Sequence, residues 1–179
     1  MKVTICSRKD AENLLRTGFP PRTAVITFYD PPSRRNAVPT PPPDYNGKAE
    51  RVFPVAAHDL DLKALTDVGL TYETYLPEAD ELAEFIYQAR TDGLDILCQC
   101  EYGQSRSAAC AAAILEHFEG MGITIFADYR YYPNQVVYHK MMETLDRLFL
   151  CLHILPQKAV KAIRRRKMQS LFLNEKRTF

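Results

Sequence analysis

Cys100 and Arg106 stand at the two ends of the run Cys100-Glu101-Tyr102-Gly103-Gln104-Ser105-Arg106, and Ser107 follows directly. An apolar stretch, Leu94 to Leu97, leads in, and an alanine-rich stretch, Ser107 to Phe118, leads out, so the run reads as a strand-to-helix loop. A loop of this length can turn successive backbone N–H groups toward one spot, where the helix dipole also favours negative charge. The thiol at its base becomes a nucleophile as the thiolate, a form that a helix N-terminus and a neighbouring guanidinium both favour. Arg106 offers a planar fork for two oxygens of a phosphoryl group. Gly103 lets the backbone turn with no Cβ against the anion. Ser107 can hydrogen-bond the sulfur and help it leave. The amides of Glu101, Tyr102, Gly103, Gln104, Ser105 and Arg106 are then the phosphate-binding groups, and the side chains of Glu101, Tyr102, Gln104 and Ser105 should point away. A lone cysteine is more often a buried, inert thiol, which is the reading for Cys98 and Cys110. The offsets of Gly103, Arg106 and Ser107 set Cys100 apart. The chemistry they describe is phosphate-ester cleavage through a cysteinyl-phosphate.

A serine or tyrosine alkoxide leaves poorly, so a carboxylic acid should protonate it as the P–O bond breaks. Three of the aspartates upstream of the cysteine are candidates for it: Asp59, Asp61 and Asp67. Asp59 is favoured because it directly follows the strand-like run Val52 to Ala57. Asp61 is second and Asp67 third, and for these two an exposed or capping role is the simpler account.

The elements that must hold these residues are legible from pattern. Val3 to Cys6 and Ala24 to Tyr29 read as strands, the latter β-branched and aromatic, with a helix over about Asp10 to Leu15 between them. Pro31 to Asn46, with Pro31-Pro32 and Pro41-Pro42-Pro43, cannot donate ladder hydrogen bonds and reads as a long loop, partly polyproline II. Arg51 to Ala57 resumes as a strand. A helix opening near Pro77 carries Leu82, Phe85, Ile86 and Ala89 on one face and stops at Gly93. Leu94 to Gln99 is the strand that feeds the loop. After the alanine-rich helix, ended by Gly120, come an aromatic loop over Asp128 to Asn134 and a helix over Val136 to Leu152. Val137, Met141, Leu145, Leu148 and Leu152 are expected to face inward. Alternation of strands with helices predicts an α/β fold with a central mixed or mostly parallel sheet. The expected organisation is a catalytic domain over 1–155 and a basic C-terminal helix or tail over 156–179.

The loop resembles the signature of cysteine-based protein phosphatases, His-Cys-x-x-Gly-x-x-Arg-Ser/Thr, and Gly103-Gln104-Ser105-Arg106-Ser107 is closest to the dual-specificity branch. More narrowly the chain looks like small microbial phosphatases of that superfamily. The shared features are an N-terminal strand–helix–strand, an aspartate loop before the cysteine, and Tyr131-Tyr132-Pro133-Asn134-Gln135-Val136-Val137-Tyr138 after it. The resemblance implies a phosphatase fold, hydrolysis of phosphotyrosine with phosphoserine and phosphothreonine as further candidates, and Asp59 at the acid's loop position. Gln99 departs from the pattern, since the family has histidine there. A glutamine carries no charge but still hydrogen-bonds backbone carbonyls.

The loop's variable positions hold no lysine, which points to a singly phosphorylated side chain or a small aryl phosphate rather than a polyanion. Tyr102 and the tyrosines of 128–132 are read first as caps on the core and second as walls of a pocket. Two rival classes stay open: a phosphate-binding module without turnover, and another thiol enzyme such as a sulfurtransferase or arsenate reductase.

The 179 residues, 46% hydrophobic and 25% charged, suffice for one domain with a packed core. No apolar run is long enough to span a membrane, the N-terminus does not read as a signal peptide, and five cysteines without a framework spacing fit reduced thiols in a cytosol. Four scattered histidines and no Cys-x-x-Cys pair give no metal site, and the chemistry calls for no cofactor. From Lys158 onward eight basic residues face Glu175 alone, while the remainder holds 15 basic and 21 acidic residues. That tail is read as a solvated helix, with nucleic-acid or membrane binding as a minority alternative.

Overall fold

The structure is a computed structural model that describes residues 1–32 and 41–153. The chain divides into a compact unit, 1–145, and a second unit, 146–179, whose described part is the end of one helix. Residues 33–40 of the proline-rich segment and 154–179 of the basic tail lie outside the described residues, and so do the expectations placed on them.

Four strands, β1 (Val3–Ser7), β2 (Thr23–Tyr29), β3 (Arg51–Ala56) and β4 (Asp95–Cys100), form one sheet in the order β1-β4-β2-β3. All three pairings are parallel, with Ser7 opposite Cys100 and Thr27 opposite Gln99. The expected mixed or mostly parallel sheet is therefore wholly parallel among the described residues. β4 lies inside the sheet and is buried from Ile96 to Cys100. β3, at the edge, is the strand that tolerates Pro54, because an edge strand can spare an N–H.

The helices are α1 (Arg8–Thr17), α2 (Ala79–Thr91), α3 (Arg106–Glu119), the single turn α4 (Ile123–Phe126) and α5 (Gln135–His153). α1 starts two residues earlier than its apolar pattern suggests, because Ser7 caps it: the Asp10 N–H donates to Ser7 Oγ at 3.1 Å. Its Ala11 packs with Cys6, Val25, Tyr45 and Leu97 on one side of the sheet. α3 is buried at every position from Arg106 to Ile114, and six consecutive small residues, Ala108 to Ala113, let it approach its neighbours closely. Cys98 and Cys110, both fully buried, meet between β4 and α3. Their hydrogen bond and their burial hold the Cys98 thiol well above the ordinary thiol range.

On α5 the buried stripe is Val136, Val137, Met141, Thr144 and Leu145. Leu152, expected inward, is exposed, as are Phe149 and Leu150, and Leu148 is only half-buried. Periodicity gives the face of a helix, not how deeply each residue of that face is buried. Among the described residues no helix is long and apolar enough to cross a membrane.

Candidate active site

Cys100 ends β4 and Arg106 begins α3, so the seven-residue loop sits at the carboxyl end of an inner strand, between β1 and β2. In open parallel sheets that is where ligands bind. The loop's carbonyls are held from outside by four different partners. Gln99 Nε2 donates to the Cys100 carbonyl at 2.8 Å, and the Arg8 N–H to that of Glu101 at 3.1 Å. The Tyr132 N–H donates to the Gln104 carbonyl at 2.9 Å, and the Ala109 N–H to that of Ser105 at 2.8 Å. In a trans peptide the C=O and the next N–H point in opposite directions. Each held carbonyl therefore turns the N–H of residue 101, 102, 105 or 106 the other way.

Gly103 is buried at φ +68°, in the left-handed region. A Cβ there would lie 2.7 Å from Ser7 N and 2.9 Å from Cys6 C. The glycine is thus required by the close approach of the β1–α1 junction behind the loop, not by clearance for the anion as its place in the sequence suggests.

Cys100 is buried, and its Sγ lies 3.0 Å from Oγ of Ser107, which is itself fully buried. Arg106 is only 3% exposed. Its Nη1 donates to Asp30 Oδ1 at 2.8 Å and to the Ala57 carbonyl at 2.6 Å. Its Nε is buried without a hydrogen-bond partner among the described residues, and Asp59 Oδ2 stands 3.7 Å from it. One side of the fork is fully engaged by protein and the other is left for an acceptor.

Asp59 reaches the loop. Its Oδ1 accepts from Ser105 Oγ at 2.6 Å and from Asn134 Nδ2 at 2.9 Å. Asn134 Nδ2 also donates to the Leu60 carbonyl at 3.0 Å, while Asn134 Oδ1 caps α5 by accepting from the Val137 N–H at 3.0 Å. The Tyr75 hydroxyl, buried, donates to the His58 carbonyl at 2.8 Å and supports the same stretch from below. Asp61 instead accepts from the Ala64 N–H at 2.8 Å, closing its own turn. Asp67 lies in a 3₁₀ turn, Thr66–Val68, and is exposed. The structure brings together Cys100, Arg106, Ser107 and Asp59, and it leaves Asp61 and Asp67 elsewhere.

The loop's side chains turn outward as expected, with one correction. Glu101 accepts from Arg8 Nε at 2.8 Å, and Tyr102 and Gln104 are exposed. Ser105, expected to offer only its amide, also orients Asp59 through its hydroxyl. Tyr102, Tyr129 and Tyr132 are 78%, 87% and 73% exposed, so they do not cap the core as first read.

Gln99 is fully buried, and its Oε1 accepts from Thr27 Oγ1 and, at 3.5 Å, from the Tyr45 hydroxyl. Because both hydroxyls donate to the oxygen, the amide nitrogen is fixed toward the Cys100 carbonyl. Burial is the main reason that the Tyr45 hydroxyl is held far above the usual phenol range.

Asp30, Asn134, Arg8, Thr27 and Tyr45 are the site residues that the sequence reading missed. Asp30 had a positional signal, since it directly follows a buried strand of a parallel sheet. Asn134 had another, since it precedes the apolar rhythm of α5 where an N-cap belongs.

No protein-family model matches the chain, and no curated protein does. Solved structures do. Human DUSP28 is 21% identical, with a TM-score of 0.45, over 82% of this chain and 93% of that one. A mouse putative dual specificity phosphatase, complexed with zinc tungstate, is 23% identical, with a TM-score of 0.47, over 86% and 87%. PTPMT1 in complex with PI(5)P is 13% identical, with a TM-score of 0.47, over 83% and 92%. The chain is similar to these proteins, and likeness at such identities leaves the chemistry to be read from the loop itself.

Proposed function

We propose that this chain is a phosphomonoester hydrolase of the dual-specificity type, acting on phosphotyrosine, with phosphoserine and phosphothreonine as further substrates, through a cysteinyl-phosphate. The observation that carries the reading is a buried thiol 3.0 Å from the Ser107 hydroxyl, below a loop with four carbonyls drawn outward and beside a guanidinium with one free edge.

In the first step Cys100 Sγ attacks phosphorus and the ester oxygen departs. Amides of the loop and Arg106 Nε hold the equatorial oxygens, where charge is spread in the transition state. Asp59, as the acid, gives its proton to the leaving oxygen. In the second step Asp59, now a carboxylate, takes a proton from water, which attacks phosphorus and releases phosphate. The Ser107 hydroxyl donates to the departing sulfur. Ser105 and Asn134 keep Asp59 at the loop's edge through both steps.

The exposed tyrosines at 102, 129 and 132 suit an aryl phosphate or a flat peptide surface better than a polyanion. Five free thiols suit a reducing compartment, in keeping with action in the cytosol. Rapid quench with p-nitrophenyl phosphate tests the reading. A burst of one p-nitrophenol per active site and a thiophosphate adduct on Cys100 are expected, both lost in Cys100→Ser. Tight oxyanion binding with neither burst nor adduct would instead make the chain a binding module.

A further inference from the structure

We infer that Asp30 is the positioning residue of this site: it fixes the Arg106 guanidinium in the orientation that leaves Nε directed at the phosphoryl group. The inference rests on the phosphatase reading for its consequence in catalysis, but its geometry stands apart from it.

Arg106 is almost wholly buried, and a buried guanidinium needs both a counter-charge and engaged N–H groups. Its Nη1 meets two acceptors from two strand ends. Asp30 follows β2 directly, and Ala57 follows β3. The two are locked side by side, because Tyr29 pairs with Ala56 in the sheet and the Ala57 N–H donates to the Tyr29 carbonyl at 3.1 Å. A planar fork gripped twice at one nitrogen has its remaining edge set by that grip. The neutral Ala57 carbonyl supplies direction without charge, and Asp30 supplies both. Its side chain is 55% exposed, so the cost of pairing its carboxylate is small.

Asp59 is poorly suited to this task. Its Oδ2 lies 3.7 Å from Nε, on the edge that the phosphoryl oxygen takes, and its Oδ1 is held toward Ser105 and Asn134. An acid that must trade its proton cannot also be the permanent anchor of the guanidinium. The two carboxylates beside Arg106 thus divide their work: Asp30 orients, and Asp59 moves a proton.

A series at position 30 separates position from charge. If Asp30 acted only by its charge, removing it would tighten tungstate binding equally in Asp30→Asn and Asp30→Ala, and Asp30→Glu would match the wild type. Positioning predicts another order in calorimetric titrations with tungstate. Asp30→Asn keeps an acceptor in place and should bind as well as the wild type or better. Asp30→Ala and Asp30→Glu should bind roughly tenfold more weakly, although the first of them removes a repelling charge. Turnover of p-nitrophenyl phosphate should follow the same order, with kcat down by about tenfold to a hundredfold in Asp30→Ala and Asp30→Glu and largely rescued in Asp30→Asn. Equal tightening in Asn and Ala, or no change across the series, overturns the inference. If Asp30→Ala does not fold, the comparison of Asn with Glu decides alone. If the series binds tungstate in this order yet the wild type hydrolyses no monoester, the positioning role holds and the hydrolase reading falls.

Discussion

Replacing Gly103 with alanine asks how tightly the loop is built against the rest of the fold. The added Cβ would stand 2.7 Å from Ser7 N, 2.9 Å from Cys6 C and 3.1 Å from Cys6 O. All three are backbone atoms of the β1–α1 junction, so no side chain can swing aside to make room. Left-handed backbone at φ +68° adds about 1–2 kcal/mol for any residue with a Cβ, and forcing a methyl into a filled space adds about 1–3 kcal/mol. The sum, about 2–5 kcal/mol, is a large part of the stability of an ordinary domain and corresponds to a fall of roughly 5–20 °C in Tm. Gly120 supplies the control. It has nearly the same φ, +66°, but its Cβ would meet open space, so Gly120→Ala should cost only the conformational part. The difference between the two variants in urea unfolding isolates the close approach. Because the loop must move to relieve it, Cys100 and Arg106 lose their spacing, and turnover of p-nitrophenyl phosphate by the folded fraction should drop by about a hundredfold or more. A Gly103→Ala protein no less stable than Gly120→Ala, with wild-type turnover, would refute the reasoning.

Further expectations concern the thiols, the acid and the support beneath the loop. Ser107→Ala should keep the p-nitrophenol burst but slow steady-state release by about ten- to a hundredfold, because a hydrogen bond to a charged sulfur is lost only when that sulfur departs; an equal slowing of the burst contradicts this. Asp59→Asn should depress turnover of alkyl phosphates far more than that of p-nitrophenyl phosphate, whose leaving group needs less help, and equal losses would remove Asp59 from the acid's role. Gln99→Leu strands the Cys100 carbonyl and the Thr27 hydroxyl in a buried space, and it should cost about 2–4 kcal/mol in chemical denaturation. Burial, with Asp10 second, pushes the Cys6 thiol up to about 11 from an ordinary 9.0. The unfolded chain therefore gives up that proton first, and this contribution to stability is whole below pH 9 and lost as pH rises toward 11. Cys6→Ala should flatten the alkaline limb of the urea midpoint against pH, and an unchanged limb would rule Cys6 out.

Most of the frame was legible because parallel α/β folds announce themselves locally. The buried strands β2 and β4 read as nearly continuous apolar runs, and Gly93 and Gly120 mark the ends of α2 and α3. The loop was legible for another reason: a thiol, a turn, a cation and a hydroxyl sit within eight consecutive residues. Asp30 and Asn134 were not, since each acts on a partner more than seventy residues away in the chain, and no local pattern records such a meeting. The role of Gly103 was read from the wrong side, because nothing in the sequence says that β1 ends behind the loop. The exposure of Leu152 was missed because amphipathic rhythm marks a face and not its depth of burial.

Gln99 shows what the position before Cys100 has to do. Its Nε2 holds one carbonyl outward, and its Oε1 is pinned by two hydroxyls from β2 and from the segment after the prolines. Neither task involves charge. The Glu101, Gln104 and Ser105 carbonyls are held by N–H groups from α1, from the 128–134 loop and from α3 itself, so the loop's orientation is shared among four parts of the chain and no single cation organises it. A neutral amide is then sufficient beneath the thiol, provided that the hydroxyls fix which end points up. Tyr45→Phe and Thr27→Val each remove one of those hydroxyls. The double variant frees the amide to flip and presents an oxygen to the Cys100 carbonyl. It should therefore lose more turnover than the two single losses combined, whereas strictly additive losses would mean that the hydroxyls do not govern the amide.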